Sequence, residues 1–148
     1  MRLLLQRVSQ AQVDIAGQTV GQIGQGYLAL VAVTEGDGQE DLDYLVRKMT
    51  NLRVFADEEG KLNKSILDVQ GAVLSVSQFT LFADTHKGNR PNFMAAARPE
   101  LAKPLYDQFN AAVKATGLHV EQGQFGADMH VSLTNDGPVT IMIDSKNK

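Results

Sequence analysis

The sequence contains no cysteine among its 148 residues, so disulfide bonds and thiolate-ligated metal sites are excluded. No stretch approaches the roughly 18 consecutive apolar residues of a transmembrane helix. The N-terminal apolar run, residues 3–5, is too short for the apolar region of a signal peptide. These absences favour a reducing compartment, and we expect a cytoplasmic location and no membrane partner.

Positive charge is also scarce, since 14 Lys and Arg residues face 17 Asp and Glu residues and the net charge is −3. Proteins that bind nucleic acid by nonspecific attraction normally have a basic surface. Residues 85–99 are the local exception, because they include Lys87, Arg90 and Arg98 and no acid. Charge patterning alone is typical of a solvated loop there, and it leaves a local basic patch open.

Several common catalytic signatures are missing. The three histidines, His86, His119 and His130, do not have metal-ligand spacing. There is no GxSxG motif, and a Ser-His-Asp triad built on Ser77 has no support from spacing. The Gly-rich residues 21–26 lie between two predicted strands, where no helix N-terminus can receive a phosphate. We therefore expect neither a metal nor a cofactor.

At 43% hydrophobic residues the chain can form one domain with a real core. Apolar segments predict strands at residues 3–8, 11–15, 19–23, 27–34, 52–57 and 71–82, of which 27–34 is covered on both faces. Helical spacing predicts one helix over about 40–51 and a second between Pro99 and Gly117. Two strands, MHVSLTN and VTIMID, close the chain around an Asn-Asp-Gly-Pro hairpin turn. This order predicts an α/β domain with a mixed or antiparallel sheet.

The strand over 71–82 has an unusual end, because Ser77, Gln78 and Thr80 interrupt its apolar run. Side chains alternate in a regular strand, so Ser77 and Thr80 can line one pocket only if the strand breaks between them. Such a break would free backbone N–H groups, which can stabilise an oxyanion. The alternative is an edge strand whose polar side chains face water.

Two stretches, SQFTL at 77–81 and NDGPVT at 135–140, resemble the two signature motifs of the D-aminoacyl-tRNA deacylase family. The resemblance extends, in order, through RVSQAQV near the start, KMTNLRVFADEEGKLNKS at 48–65, KGNRPNF at 87–93 and FGADMHVSLTNDGPVT at 125–140. It covers essentially the whole chain.

The resemblance implies a single domain with a curved, barrel-like mixed or antiparallel sheet and two main helices. It also implies a homodimer with its active sites at the interface. The implied catalytic residues are Ser77, Gln78, Phe79 and Thr80. The implied substrate-binding residues are Gly137, Pro138, Arg7, Phe125 and Met129. Gly137 and Pro138 are joined by a cis bond and complete the partner's site, and Arg7 steadies their loop. Phe125 and Met129 hold the terminal adenosine.

The implied reaction is hydrolysis of the ester that joins a D-amino acid to the 3′-terminal adenosine of tRNA. Glycine, as glycyl-tRNA mischarged on tRNA(Ala), is an implied second substrate, and L-amino acids are excluded by main-chain atoms. Phosphate contacts would be few, from residues such as Lys87 and Arg90. Because no base adjoins Thr80, our hypothesis is that the ribose 2′-OH orients the water. The competing interpretations are a nucleic-acid-binding module without hydrolysis and a small-molecule Ser/Thr esterase.

Overall fold

The computed structural model describes residues 1–148 and consists of one curved, barrel-like sheet with two helices packed against it. The elements in chain order are β1 (Arg2–Ile15), β2 (Gln18–Ile23), β3 (Gly26–Ala32), α1 (Gln39–Asn51), β4 (Phe55–Ala56), β5 (Leu62–Lys64), β6 (Ala72–Ser77), a 3₁₀ helix (Phe79–Phe82), α2 (Pro99–Ala115), β7 (His119–Gln122) and β8 (His130–Asp144). The predicted fold class, a single α/β domain with two main helices, is confirmed.

Strand β1 organises the sheet, because every antiparallel pair of the main sheet includes it. Strands β3 and β2 pair with successive stretches of β1, residues 2–8 and 11–15, and β8 pairs with β1 over nearly its whole length. Beyond β3 the pairing becomes parallel, to β6 and then to β7. The sheet is therefore mixed, and its three parallel strands end on the same side.

Strands β3 and β6 are covered on both faces, as the continuous apolar run 27–34 predicts. Tyr27, Ala29 and Val31 belong to the larger core, which the helices cover. Leu28 belongs to a smaller core on the opposite face, with Leu74 of β6. Alternate side chains of one strand thus enter two cores.

Both helices contribute an apolar face to the larger core. The buried apolar positions of α1 and α2 are Leu42, Leu45, Val46, Met49, Ala102, Leu105, Tyr106, Phe109 and Val113. Helix α2 begins at Pro99, as predicted, and continues through Pro104. Neither helix is both long and apolar enough to cross a membrane.

Two strand predictions are wrong in their bounds. The predicted strand 52–57 is reduced to Phe55–Ala56, and the two predicted N-terminal strands are one continuous strand, β1. The third difference is topological, because the predicted C-terminal hairpin does not form. Both of its halves belong to β8 and pair with β1 in the same direction, so the Asn-Asp-Gly-Pro segment is a bulge within one strand.

Candidate active site

A cavity of about 600 Å³ lies where β3, β6 and β7 end. Ligand sites of α/β proteins commonly lie beyond the carboxyl ends of parallel strands, because the loops and helix starts there diverge. Residues from the ends of β3 and β6, from the segment that follows β7 and from the start of α2 line this one. They are Val31, Ala32, Val33, Val76, Ser77, Gln78, Phe79, Phe93, Ala96, Ala97, Arg98, Pro99, Ala102, Tyr106, Phe125, Gly126, Ala127, Met129 and Val131.

Strand β6 ends at the cavity because the next backbone carbonyl after β3 is already hydrogen-bonded to another segment. The Gln78 N–H donates to the carbonyl of Val31 at 2.8 Å, but the next available carbonyl, that of Val33, accepts from the N–H of Ala97 at 2.9 Å. Beyond Gln78 the chain has no ladder to join, and residues Phe79–Phe82 turn into a 3₁₀ helix. The predicted strand 71–82 is therefore wrong beyond Ser77, and of the two alternatives left open by the sequence the structure has the break.

This turn leaves two backbone donors without a partner inside it. Its first hydrogen bond runs from the Leu81 N–H to the Gln78 carbonyl at 3.2 Å. The N–H groups of Phe79 and Thr80 precede that bond, as the first amides of any helical turn do. Two adjacent amides at a cavity wall can stabilise negative charge on an oxygen.

Arg2 of β1, two strands away from β6 in the sheet, holds the turn through its guanidinium. Its Nη1 donates to the Leu81 carbonyl at 2.8 Å, and its guanidinium lies 4.5 Å from the centre of the Phe82 ring. Asp144 of β8 accepts from Nε at 3.0 Å and so orients the side chain. The position of the free amides thus depends on an arginine whose role the sequence did not reveal.

Three of the four predicted catalytic residues, Ser77, Gln78 and Phe79, line the cavity. Thr80 lies beside them in the turn, and its Oγ1 accepts a hydrogen bond of 2.5 Å from Gln78 Nε2. An amide nitrogen is a donor without basic character, so it cannot take a proton from the threonine. The structure therefore gives Thr80 no activating base.

Arg98 and Tyr106 are the only ionisable side chains among the lining residues. Burial raises the pKa of Tyr106, so its hydroxyl stays protonated and donates to the carbonyl of Ser75 at 3.0 Å. The same carbonyl accepts from the Gly123 N–H at 3.0 Å, which fixes the start of the loop from Gly123 to Met129. No histidine or carboxylate reaches the cavity, so a Ser-His-Asp triad at Ser77 is not formed.

Aromatic and thioether side chains supply the apolar walls. Phe125 and Met129, predicted to hold an adenosine, both line the cavity, and the ring of Phe125 lies 6.1 Å from that of Tyr106. Phe79 and Phe93 meet edge to face with their ring centres 5.2 Å apart. Such walls suit a flat, partly apolar ligand with a few polar groups.

The other predicted binding residues form a second structure, the bulge of β8. Asn135 and Thr140 pair with Val8 and Gln6, so that residues 136–139 lie opposite Arg7 alone. Arg7 donates from Nε to the Asp136 carbonyl at 3.1 Å and from Nη1 to the Val54 carbonyl at 2.5 Å.

Asn135 and Gly137 fit the bulge to this arginine. Asn135 Nδ2 closes the base of the bulge by donating to the carbonyls of Arg7 and Val139, both at 3.0 Å. Gly137 has a φ of +125°, a conformation that favours glycine, and a β-carbon there would lie 2.9 Å from Arg7 Nη2, so that the arginine would have to shift. The Gly137-Pro138 bond is cis, as the resemblance implies.

The structure thus places the predicted site residues in two groups. Neither Arg7 nor any residue of the bulge lines the cavity of its own chain. Sequence reasoning also missed four residues that shape the cavity: Arg2, Phe93, Arg98 and Tyr106. Arg98 carried a signal as one of the cations in an acid-free segment, and Phe93 ends the family-like stretch KGNRPNF.

The chain matches the family model of the D-Tyr-tRNA(Tyr) deacylases over residues 4–144. It is 57% identical over 148 residues to the D-aminoacyl-tRNA deacylase of Thermus aquaticus, an alignment that covers 100% of this chain and 97% of that protein. It is 58% identical over 146 residues to the D-aminoacyl-tRNA deacylase of Bacillus pumilus, with 99% of each chain covered.

Two solved structures are similar over the same extent. A c-Myc DNA unwinding element binding protein is 42% identical, with a TM-score of 0.91 and coverage of 97% of this chain and 98% of that one. A probable eukaryotic D-amino acid tRNA deacylase has a TM-score of 0.84 and the same coverage. At 20% identity, that second similarity shows the fold alone.

The contacts of Arg7 predict that its anchoring of the bulge stabilises the folded protein. Replacement of Arg7 by lysine keeps the charge but cannot reach two divergent carbonyls, and the side chain is only 12% exposed. We expect the free energy of unfolding in urea to fall by about 2 kcal/mol.

The matched control is Arg53→Lys, because Arg53 also donates to a backbone carbonyl, that of Asn63, but is exposed. We expect that change to cost less than about 0.5 kcal/mol. Equal losses in the two variants would contradict a special role for Arg7.

Proposed function

Because the chain belongs to the D-Tyr-tRNA(Tyr) deacylase family, we propose that its cavity binds the charged 3′ end of tRNA and hydrolyses the ester of a D-amino acid. The protein is a hydrolase of the D-aminoacyl-tRNA deacylase class. The observation that carries the proposed mechanism is the pair of free amides at Phe79 and Thr80 in a cavity without a titratable base.

In the proposed reaction, water attacks the ester carbonyl and the carbonyl oxygen becomes negatively charged. The amides of Phe79 and Thr80 donate to that oxygen, and one such donor is typically worth on the order of 10²–10³ in rate. The C–O bond to the ribose then breaks and releases free D-amino acid and tRNA. Such esters already hydrolyse slowly in water, so positioning and electrostatic stabilisation suffice.

The remaining question is what removes a proton from the water. The cavity has no carboxylate or imidazole, and Thr80 accepts a hydrogen bond from the amide of Gln78. We therefore assign this role to the substrate, whose ribose 2′-OH adjoins the ester. The 2′-OH orients the water and relays the proton that the water loses to the departing 3′-oxygen of the ribose. This assignment disfavours a Ser/Thr esterase mechanism, which would need an activated hydroxyl.

Thr80→Ala and a 2′-deoxy substrate separate these mechanisms in single-turnover assays. We expect Thr80→Ala to keep most of its rate on D-aminoacyl-tRNA, because its hydroxyl is not the nucleophile. The wild type should lose a factor on the order of 10² or more on tRNA ending in 2′-deoxyadenosine. An inactive Thr80→Ala variant together with an active 2′-deoxy substrate would assign the chemistry to the threonine.

We further propose a homodimer in which the bulge of one subunit seals the cavity of the other. Strand β8 supports this arrangement, because it pairs only with β1 and its outer edge is free over 15 residues. Its exposed apolar side chains, Leu133 at 36% and Met142 at 48%, lie on either side of the bulge. A free edge of this length is a natural site for pairing with a second copy.

The bulge also suggests how L-amino acids are rejected. The hydrogen bonds from Arg7 and Asn135 hold residues 136–139 by their backbone. Pressed against the α-carbon of the bound amino acid, such a segment leaves room for hydrogen on one side only. Exclusion by main-chain atoms makes no demand on the D side chain, and it would also admit glycine, including glycyl-tRNA mischarged on tRNA(Ala).

Mixing two inactive variants tests the shared site. Ala127→Trp fills the cavity, and Gly137→Ala displaces the bulge by meeting Arg7. A mixed dimer has one site with an intact cavity and an intact bulge. Random subunit exchange should therefore restore about a quarter of wild-type activity, since about half the dimers are mixed and each has one restored site.

The control for this experiment is the unfolding midpoint of each variant, which must show that both are folded before mixing. Gly137→Ser provides a second bulge variant if the alanine change unfolds the protein. A mixture that stays as inactive as its components would rule out sites shared between subunits.

The proposed activity itself is tested by paired deacylation of D- and L-aminoacyl-tRNA. We expect release of free D-amino acid, with similar rates for D-Tyr, D-Phe and D-Asp, and only background release from the L-esters. Glycyl-tRNA(Ala) should be hydrolysed as well. A strong preference for one D side chain would contradict exclusion by the main chain.

One second function has a specific observation in its favour, the 42% identity to a c-Myc DNA unwinding element binding protein. A nucleic-acid-binding module of the same fold would bind without hydrolysis, so the same assay decides between the two. A cytoplasmic location follows from the deacylase proposal, because charged tRNA is used there.

A further inference from the structure

Apolar side chains cluster at the mouth of the cavity and remain exposed. Phe93 lines the cavity and packs edge to face on Phe79, whose surface is 53% exposed. Met94, the next residue, is 87% exposed and is the most exposed large apolar side chain of the protein. Exposed apolar residues beside a binding cavity indicate a surface that meets a partner.

Unpaired cations lie on both sides of Phe93 and Met94 in the sequence. Lys87, Arg90 and Arg98 are exposed and belong to none of the ion pairs of the protein, and Arg98 lines the cavity. The acid nearest in sequence to Lys87 and Arg90, Asp84, accepts from the backbone and ring nitrogens of His86, and Glu100, two residues after Arg98, lies in the first turn of α2. In a chain with net charge −3, three free cations in twelve residues stand out as a local positive region.

The backbone presents this surface in a fixed position. Asp84 and Asn92 exchange two backbone hydrogen bonds, of 2.7 and 2.8 Å, which close the loop that carries Lys87 and Arg90. Asn92 Oδ1 accepts from the Met94 N–H at 2.9 Å. Thr34, which follows the end of β3, donates from Oγ1 to the Ala95 carbonyl at 2.5 Å.

We propose that residues 84–98, the mouth segment, bind the single-stranded nucleotides that immediately precede the terminal adenosine of tRNA. Bases lie against Phe93 and Met94, and phosphates are bound by Lys87, Arg90 and Arg98. Flat apolar surfaces beside cations are the usual means of holding single-stranded RNA. The inference rests on the proposed function, because the cavity is contiguous with this surface and is assigned to the terminal adenosine.

A comparison of two substrates tests the proposal. D-aminoacyl-tRNA contains the preceding nucleotides, whereas the D-aminoacyl ester of adenosine lacks them and their phosphates. We expect Lys87→Ala/Arg90→Ala to lower kcat/KM on tRNA about tenfold relative to kcat/KM on the adenosine ester. The slope of log(kcat/KM) on tRNA against log[KCl] should become shallower by about 0.7 for each cation removed.

Met94→Ala isolates the apolar part of the surface, because a residue this exposed adds little to folding. It should lower kcat/KM on tRNA severalfold and leave the salt slope unchanged.

The matched control for the cation variants is Lys114→Ala, which removes an exposed lysine at the far end of α2, away from the cavity. That variant should behave as the wild type on both substrates.

Binding of a labelled single-stranded RNA with the 3′-terminal sequence of tRNA provides a readout that does not depend on hydrolysis. Fluorescence anisotropy should show weaker binding for both mouth-segment variants and unchanged binding for Lys114→Ala. Absence of hydrolysis by the wild type on either substrate would refute the proposed function, whereas this binding result would still support the mouth segment.

Three outcomes would overturn the inference. The first is an equal loss on the adenosine ester and on tRNA, which would place these residues in the cavity itself. The second is an equal loss in Lys114→Ala, which would indicate only the overall charge. The third is weaker self-association of Met94→Ala in sedimentation, which would assign the surface to contact between subunits.

Discussion

The hydrogen bond from the Ala97 N–H to the Val33 carbonyl determines where this protein can bind a ligand. It ends the ladder between β3 and β6, so the chain after Gln78 must leave the sheet. The 3₁₀ turn that follows exposes the amides of Phe79 and Thr80 at the cavity wall. The same hydrogen bond ties the mouth segment to the sheet, so the cavity and its rim share one anchor.

A cavity without a carboxylate or an imidazole suits the chemistry proposed for it. An aminoacyl ester is already activated, so catalysis needs fixed dipoles where charge develops. Backbone amides provide such dipoles without depending on the protonation of any side chain. The amides must therefore be held in position. Arg2 holds the turn that carries them, and Tyr106 fixes the opposite wall through its hydrogen bond to Ser75.

The bulge of β8 shows a second use of backbone as a functional surface. Arg7 and Asn135 bind its carbonyls, and Gly137 removes the side chain that would collide with Arg7. The bulge does not contribute to the cavity of its own chain, and it lies in the middle of a free sheet edge. This geometry is what gives the proposed exchange of bulges between two subunits its physical basis.

The sequence by itself determined the two helices, the doubly buried strand β3 and the family, because apolar periodicity and motif order are properties of neighbouring residues. It left a break near Gln78 open beside an edge strand, since the alternation of a regular strand could not bring Ser77 and Thr80 to one face. Only the tertiary structure decided where β6 ends, because Ala97 competes for the edge of β3 from nearly 20 residues away. It likewise decided that the predicted hairpin is a bulge. A Gly-Pro segment is compatible with a hairpin turn and with a bulge, and the structure forms the bulge because both flanking segments pair with β1 in the same direction.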